Sequence, residues 1–118
     1  MILVDTSVWI EHLRRGSRRL AELLEDDQVV SHPFVLGELA CGNLRNRGEI
    51  LGLLGELPRA LVAEHHEVLH LIEDRRLYGR GLGWVDAHLL ASCLMTGCKV
   101  WTLDKSLAHV SHTLKVSA

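Results

Sequence analysis

The sequence predicts an α/β domain with a mainly parallel sheet flanked by helices. Three observations lead there. Short apolar runs at Ile2-Leu3-Val4, Val29-Val30-Ser31 and Lys99-Val100-Trp101-Thr102-Leu103 suit buried strands. Helical patterns lie between them, the alternation that builds parallel sheets. The chain has 118 residues, 47% hydrophobic and 24% charged, which is the size and balance of one globular domain, residues 1–118, with its own core. No repeat, linker or low-complexity segment interrupts it.

The elements follow in order. Ile2-Leu3-Val4 is a central buried strand. It runs into Asp5-Thr6-Ser7, three good helix-capping types. Val8, Trp9 and Ile10 then begin a helix that ends near Arg14-Arg15-Gly16. A second helix starts at Ser17 and puts Leu20, Leu23 and Leu24 on one face. After the strand at Val29-Val30-Ser31, His32-Pro33 opens a helix that continues through Glu38 to Cys41, proline being favoured at the first helical position. Residues 44–57 form another helix, weakened by Gly52 and Gly55 and stopped by Pro58. Leu61-Val62-Ala63 is a weak strand or an extended connection. Residues 64–77 form an amphipathic helix with Val68, Leu69, Leu71 and Ile72 inside. Gly79, Gly81 and Gly83 make a loose loop before the helix of residues 83–95. That helix is apolar nearly all round, hence buried, and Gly97 stops it. The strand at 99–103 ends in Asp104, residues 105–109 form a short helix, and Leu114-Lys115-Val116 is an edge strand. Trp9, Trp84 and Trp101 are expected in the core.

Composition excludes several classes. No apolar run approaches the length of a membrane span. Met1-Ile2-Leu3-Val4-Asp5 has no basic region before its apolar run, so it does not read as a signal peptide, and a cytoplasmic location is expected. Cys41, Cys93 and Cys98 are odd in number and form no C-x-x-C pair; buried free thiols in a reducing compartment are expected. A net charge of −2 argues against a constitutive, charge-driven nucleic-acid binder, but not against an enzyme that touches nucleic acid through a local patch. Arg14, Arg15, Arg18 and Arg19 form such a patch, for which a solvated face and an RNA-phosphate contact are equally good readings.

Four acids stand out. Asp5 and Asp104 directly follow buried strands, and in an open parallel sheet the carboxyl ends of the strands share one edge, where ligands bind. Asp86 stands in the first turn of the buried helix, where capping and the macrodipole are its ordinary explanation. Glu38 is the only charge in its helix, and amid such neighbours it must be paired, protonated or holding a cation. Both helices adjoin the same sheet edge in any plausible winding, so Asp5, Glu38, Asp86 and Asp104 can converge. Converging carboxylates repel unless a cation neutralises them. An all-oxygen set favours Mg²⁺ or Mn²⁺ over zinc. Such a site suits phosphoryl chemistry in which a metal-activated water attacks in line. Thr6 and Ser7 could orient a carboxylate or a water; helix capping is their alternative.

Val4-Asp5-Thr6-Ser7, the interior Glu38, Gly83-Trp84-Val85-Asp86-Ala87-His88-Leu89-Leu90-Ala91-Ser92 and Trp101-Thr102-Leu103-Asp104-Lys105 together resemble the PIN domains, and more narrowly the VapC-type ribonuclease toxins of prokaryotic toxin–antitoxin pairs. The resemblance covers essentially the whole chain. It implies a three-layer fold, with a parallel sheet sandwiched by helices. It implies Mg²⁺- or Mn²⁺-dependent cleavage of RNA at single-stranded or loop positions, leaving 5′-phosphate and 3′-hydroxyl ends. It also implies a homodimer, and a cognate VapB-type antitoxin that inhibits by placing a basic side chain among the acids. Asp5, Glu38, Asp86 and Asp104 match the family's catalytic, metal-binding quartet. Thr6, Ser7 and Thr102 match supporting polar positions.

Other readings compete. His66-Glu67-Val68-Leu69-His70 matches H-E-x-x-H, which sets two histidines on one helical face for zinc, with the glutamate as base. Its third ligand is missing, since Glu73 and Arg76 stand where the extended motif needs glycine and histidine. A receiver-like signalling domain needs paired acids after its first strand, whereas Asp5 has no acidic neighbour. A nuclease fold kept only for binding antitoxin and operator DNA is opposed by the intact quartet. The leucines of residues 44–57 are too many for solvated helices and suggest a dimer or antitoxin face. His88 and Trp84 flank Asp86, with core packing the expected role of Trp84.

Overall fold

Leu3 and Val4 lie at the centre of the molecule. They are consecutive in a strand, so their side chains point to opposite faces of the sheet, and both are 0% exposed. Both faces are therefore covered, as an all-parallel sheet requires. The computed structural model describes residues 1–118. Its elements are β1 (Ile2–Val4), α1 (Thr6–Arg15), α2 (Arg18–Glu25), β2 (Val29–Val30), α3 (Pro33–Cys41), α4 (Arg47–Glu56), α5 (His65–Asp74), α6 (Trp84–Thr96), β3 (Lys99–Trp101) and α7 (Lys105–Thr113). The strand order is β2-β1-β3, with both pairings parallel. Leu3 pairs with Val30 on one side and Val100 on the other. This is the expected α/β architecture with β1 central.

Local chemistry explains most helix boundaries. Ser17 caps α2 by accepting the Leu20 N–H at 3.2 Å. The His32 ring caps α3 by accepting the Phe34 N–H at 3.0 Å, and Pro33 takes the first helical position. Gly97 ends α6 in the left-handed conformation, φ +78°. The loop before α6 is held by a close approach: Gly81 has φ +79°, and a Cβ there would meet Ser106 Oγ at 2.6 Å. That contact sets the head of α6 against the start of α7. The Arg47 guanidinium donates to the carbonyls of Ala40 and Gly42, closing the C-terminal end of α3 and fixing it against α4.

Several expectations change. The edge strand at 114–116 is reduced to one bridge, Val100 with Ser117, because α7 runs on to Thr113 and Lys115 then turns through φ +62°. Leu61-Val62-Ala63 is a connection; the one bridge nearby joins Ser31 and Arg59. The fourth helix begins at Arg47, after a left-handed Asn46. Leu69 is 47% exposed, not inside. Cys93 and Cys98 are buried free thiols, Cys98 Sγ donating to Cys93 Sγ at 3.6 Å, but Cys41 is exposed at the end of α3. Trp9 is buried and Trp101 half-buried, whereas Trp84 is exposed. No helix is long and apolar enough to cross a membrane.

Candidate active site

Because β1 and β3 are parallel and Val4 pairs with Trp101, the residues after them emerge side by side. Thr102 Oγ1 donates to Asp5 Oδ2 at 2.7 Å, and Ser7 Oγ donates to the same oxygen at 2.8 Å. Each hydroxyl also accepts a backbone N–H at 3.0 Å, Thr102 from Asp104 and Ser7 from Leu103. A hydroxyl that accepts is a better donor, so the network is cooperative. It turns the chain at Thr102, which is why β3 stops two residues before its predicted end. Asp5 is 7% exposed; two hydroxyl donors offset the cost of holding a carboxylate there.

The other three acids are anchored in the same manner. Asp104 caps α7, Oδ2 accepting the Leu107 N–H at 2.8 Å. Asp86 reaches back from the first turn of α6, Oδ2 accepting the Gly83 N–H at 2.9 Å. Glu38 Oε1 accepts from Thr6 Oγ1 at 2.7 Å, tying α3 to α1. Glu38 is exposed, not enclosed by the apolar residues of its helix, because Val35 and Leu39 turn to the core while position 38 faces the cleft. Thr6 and Ser7 serve carboxylates and cap nothing. Every anchoring bond falls on one oxygen of its carboxylate. Asp5 Oδ1, Glu38 Oε2, Asp86 Oδ1 and Asp104 Oδ1 accept no protein hydrogen bond. None of the four acids is in an ion pair.

The electrostatics link the four. The Asp86 carboxyl pKa is raised above its ordinary value, first by burial, with the Gly83 N–H working against the rise. The charges of Asp5, Asp104 and Glu38 each push it further up. No three His, Cys, Asp or Glu side chains are gathered closely enough to ligate one ion directly. Four anchored carboxylates, each with a free oxygen and no positive partner, fit a hard divalent ion that keeps part of its water shell.

The arginine cluster divides. Arg15 pairs with Glu11 and Arg18 with Glu22, each at 3.6 Å on exposed side chains, and Arg19 lies 4.3 Å over the Trp101 ring. The Arg15 and Arg18 pairs lie on exposed helix surface, where such pairs contribute little. Arg14 instead lines a groove of about 620 Å³ beside Glu38, with Ile10, Leu13, Leu44 and Arg45. Sequence reasoning missed Arg45, which has no periodic signal and faces the groove only because α3 and α4 turn back on each other. Of the α4 leucines, Leu53 alone is strongly exposed. The zinc motif has another explanation: Glu67 Oε1 accepts the Glu64 N–H at 2.9 Å in a capping box, and His66, Glu67 and His70 are all exposed.

Thr102→Val keeps shape but removes the hydroxyl's hydrogen bonds with Asp5, the Asp104 N–H and Ser7. We expect kcat to fall roughly 10–100-fold, the usual scale for residues that orient a ligand set, with a lower melting temperature because the buried Asp5 carboxylate loses a donor. Thr102→Ser should restore most of the rate. Equal rates for Val and wild type in a cleavage time course would remove Thr102 from the site.

Comparison with known proteins agrees with this fold. A family model described as PIN domain matches residues 2–112. The chain is similar to Ribonuclease VapC32 of Mycobacterium tuberculosis, strain CDC 1551 / Oshkosh, with 56% identity over 108 residues, 91% of this chain and 87% of the relative. The protein of the same name in strain ATCC 25618 / H37Rv matches equally.

Proposed function

The chain belongs to the PIN-domain family, and on that premise we propose that it is an endoribonuclease toxin of VapC type, a single domain over residues 1–118 that hydrolyses RNA phosphodiester bonds with Mg²⁺ or Mn²⁺. One observation carries the reading: four carboxylates at one end of the sheet are each held by one oxygen and leave the other free, with no basic side chain paired to any of them. Asp5, Glu38, Asp86 and Asp104 hold the ion, directly or through water. When bound, a divalent ion lowers the pKa of a water nucleophile and supplies positive charge to the phosphate. The chain's own residues do the positioning. Ser7 and Thr102 fix the Asp5 carboxylate, Thr6 fixes Glu38, and the Gly83 and Leu107 N–H groups fix Asp86 and Asp104. Arg14 and Arg45 line the groove that leads to Glu38 and suit RNA phosphates.

The partners follow from the same reading. A VapB-type antitoxin would inhibit by placing a basic side chain among four uncompensated acids. The enzyme is cytoplasmic and works as a homodimer. Leu94 and Met95, exposed near the end of α6 and lining a shallow apolar groove with Leu71 and Ala91, suit self-association better than α4 does.

The test is cleavage of total cellular RNA by the purified chain with Mg²⁺, Mn²⁺, Zn²⁺ or a chelator, beside Glu67→Gln. Gln keeps the capping bond, so the variant should match wild type within about twofold, the reach of most surface substitutions. Discrete fragments with 5′-phosphate ends that need Mg²⁺ or Mn²⁺ are expected. Cleavage that needs Zn²⁺ and disappears in Glu67→Gln would transfer the activity to the helix α5 motif.

A further inference from the structure

Helix α6 is buried from Ala87 to Cys93, yet it opens on an indole that is 38% exposed, Trp84. This ring is not loose. The His65 ring lies 4.8 Å away at 49°, and the His88 ring lies 4.9 Å away, nearly perpendicular at 83°. His88 in turn sits 4.5 Å from Phe34. A row of rings therefore runs from the head of α5, across the head of α6, to the first turn of α3. It borders the acids at two points. Trp84 begins the helix whose first turn carries Asp86, and Phe34 is four residues before Glu38, one turn away on the same face of α3. His88, 4% exposed, is the support of the row, and its Nδ1 is the one buried side-chain polar atom with no partner. Ring contacts hold it where a polar anchor would be usual.

We propose that Trp84, backed by His65 and His88 and continued by Phe34, is a stacking platform for a nucleobase of the RNA, and that it sets which phosphodiester reaches the carboxylates. The proposal rests on the nuclease reading above. Single-stranded RNA presents unstacked bases, and every base has a face that stacks on an aromatic ring. A ring already held by two neighbours loses little freedom when a base settles on it. The adjacent acids repel phosphate and offer no grip on a base, so an uncharged contact surface beside them answers a need the carboxylates cannot meet.

The experiment uses the full chain with Mg²⁺ and total cellular RNA, reading cut sites from fragment 5′ ends and rates across RNA concentrations. Trp84→Phe, Trp84→Leu, His65→Leu and Asp104→Asn are compared. Trp84→Leu should raise the half-saturating RNA concentration about tenfold and spread the cut sites, the scale of losing one stacked base. Trp84→Phe should keep both within about twofold, and His65→Leu should fall between. If folded Trp84→Leu cuts the same sites with the same concentration dependence, the platform is wrong and the nuclease reading survives. If Phe and Leu variants lose melting temperature and activity together, Trp84 is a packing residue and the proposal falls. If Asp104→Asn cuts like wild type, the nuclease reading itself has failed.

Discussion

Asp86→Asn is expected to reduce RNA cleavage by at least 10²–10³-fold, roughly what removing one preorganised electrostatic group costs an active site, while raising the melting temperature of the metal-free protein. The two effects have one cause. The Asp86 pKa is raised by burial and by the charges of Asp5, Asp104 and Glu38, so its ionised form is disfavoured in the fold. A carboxyl whose folded pKa is raised contributes stability below its unfolded pKa, and that contribution is lost as pH rises through the folded value. Above the folded value wild type has lost it. Asparagine carries no charge, and its oxygen can still accept the Gly83 N–H that Asp86 Oδ2 accepts at 2.9 Å. Solvent screens a carboxylate this open, so the rise expected is only roughly 1–3 °C in a domain of this size. Mg²⁺ should reverse the order, raising the wild-type melting temperature by mass action and leaving the variant nearly unchanged. Thermal melts of both proteins in chelator and in Mg²⁺, beside a cleavage assay, check this. A variant that is less stable in chelator would mean that the four carboxylates do not strain the fold.

The quartet was legible because each acid interrupts an apolar pattern: Asp5 and Asp104 where strands stop, Glu38 and Asp86 inside apolar helices. How the acids are held was not legible. Thr102 reaches Asp5 only because Val4 pairs with Trp101, a register between residues almost a hundred positions apart. The same non-local contact ends β3 early, so a strand that periodicity extends to Leu103 gives way to a hydroxyl network. The apolar stretch from Pro33 to Cys41 predicts that Glu38 and Cys41 are enclosed, but apolarity does not say which side meets the core. Val35 and Leu39 are buried, and position 38 opens onto the cleft. Trp84 is the counterpart in α6: composition assigns it to the interior, and its place on the first turn leaves it at the rim. The basic cluster divides for a local reason: Glu11 and Glu22 pair with two of its members on their own helices, while Arg14 lines the groove with Arg45.

The second large effect lies away from the carboxylates, between the two helices that carry Glu38 and Asp86. His32 is fully buried at the head of α3. Its Nδ1 accepts the Phe34 N–H at 3.0 Å, so the ring proton sits on Nε2, which donates to the buried Ser92 Oγ of α6 at 3.0 Å. Both nitrogens are satisfied only in the neutral ring. Burial first, and the neighbouring His88 second, lower its pKa from 6.5 to about 4. A depressed folded pKa means that the unfolded chain takes up a proton the native state refuses. Stability is therefore complete above pH 6.5 and is lost as pH falls toward 4. Between pH 7 and pH 4.5 the loss should be about 2–3 kcal/mol. His88, whose pKa burial also lowers, acts in the same sense. Asp86 acts in the opposite sense, since its raised pKa stabilises the fold as acid protonates it. A difference between variants separates these contributions. His32→Asn can still cap α3 but does not titrate. Its urea midpoint should lie below that of wild type at pH 7, for want of the Ser92 bond, and fall much less on acidification. Parallel pH slopes for the two proteins would show that His32 is not the acid-labile clamp. The expected divergence would place the fold's acid sensitivity at the α3–α6 joint, where His32 meets Ser92 between the helices that carry Glu38 and Asp86.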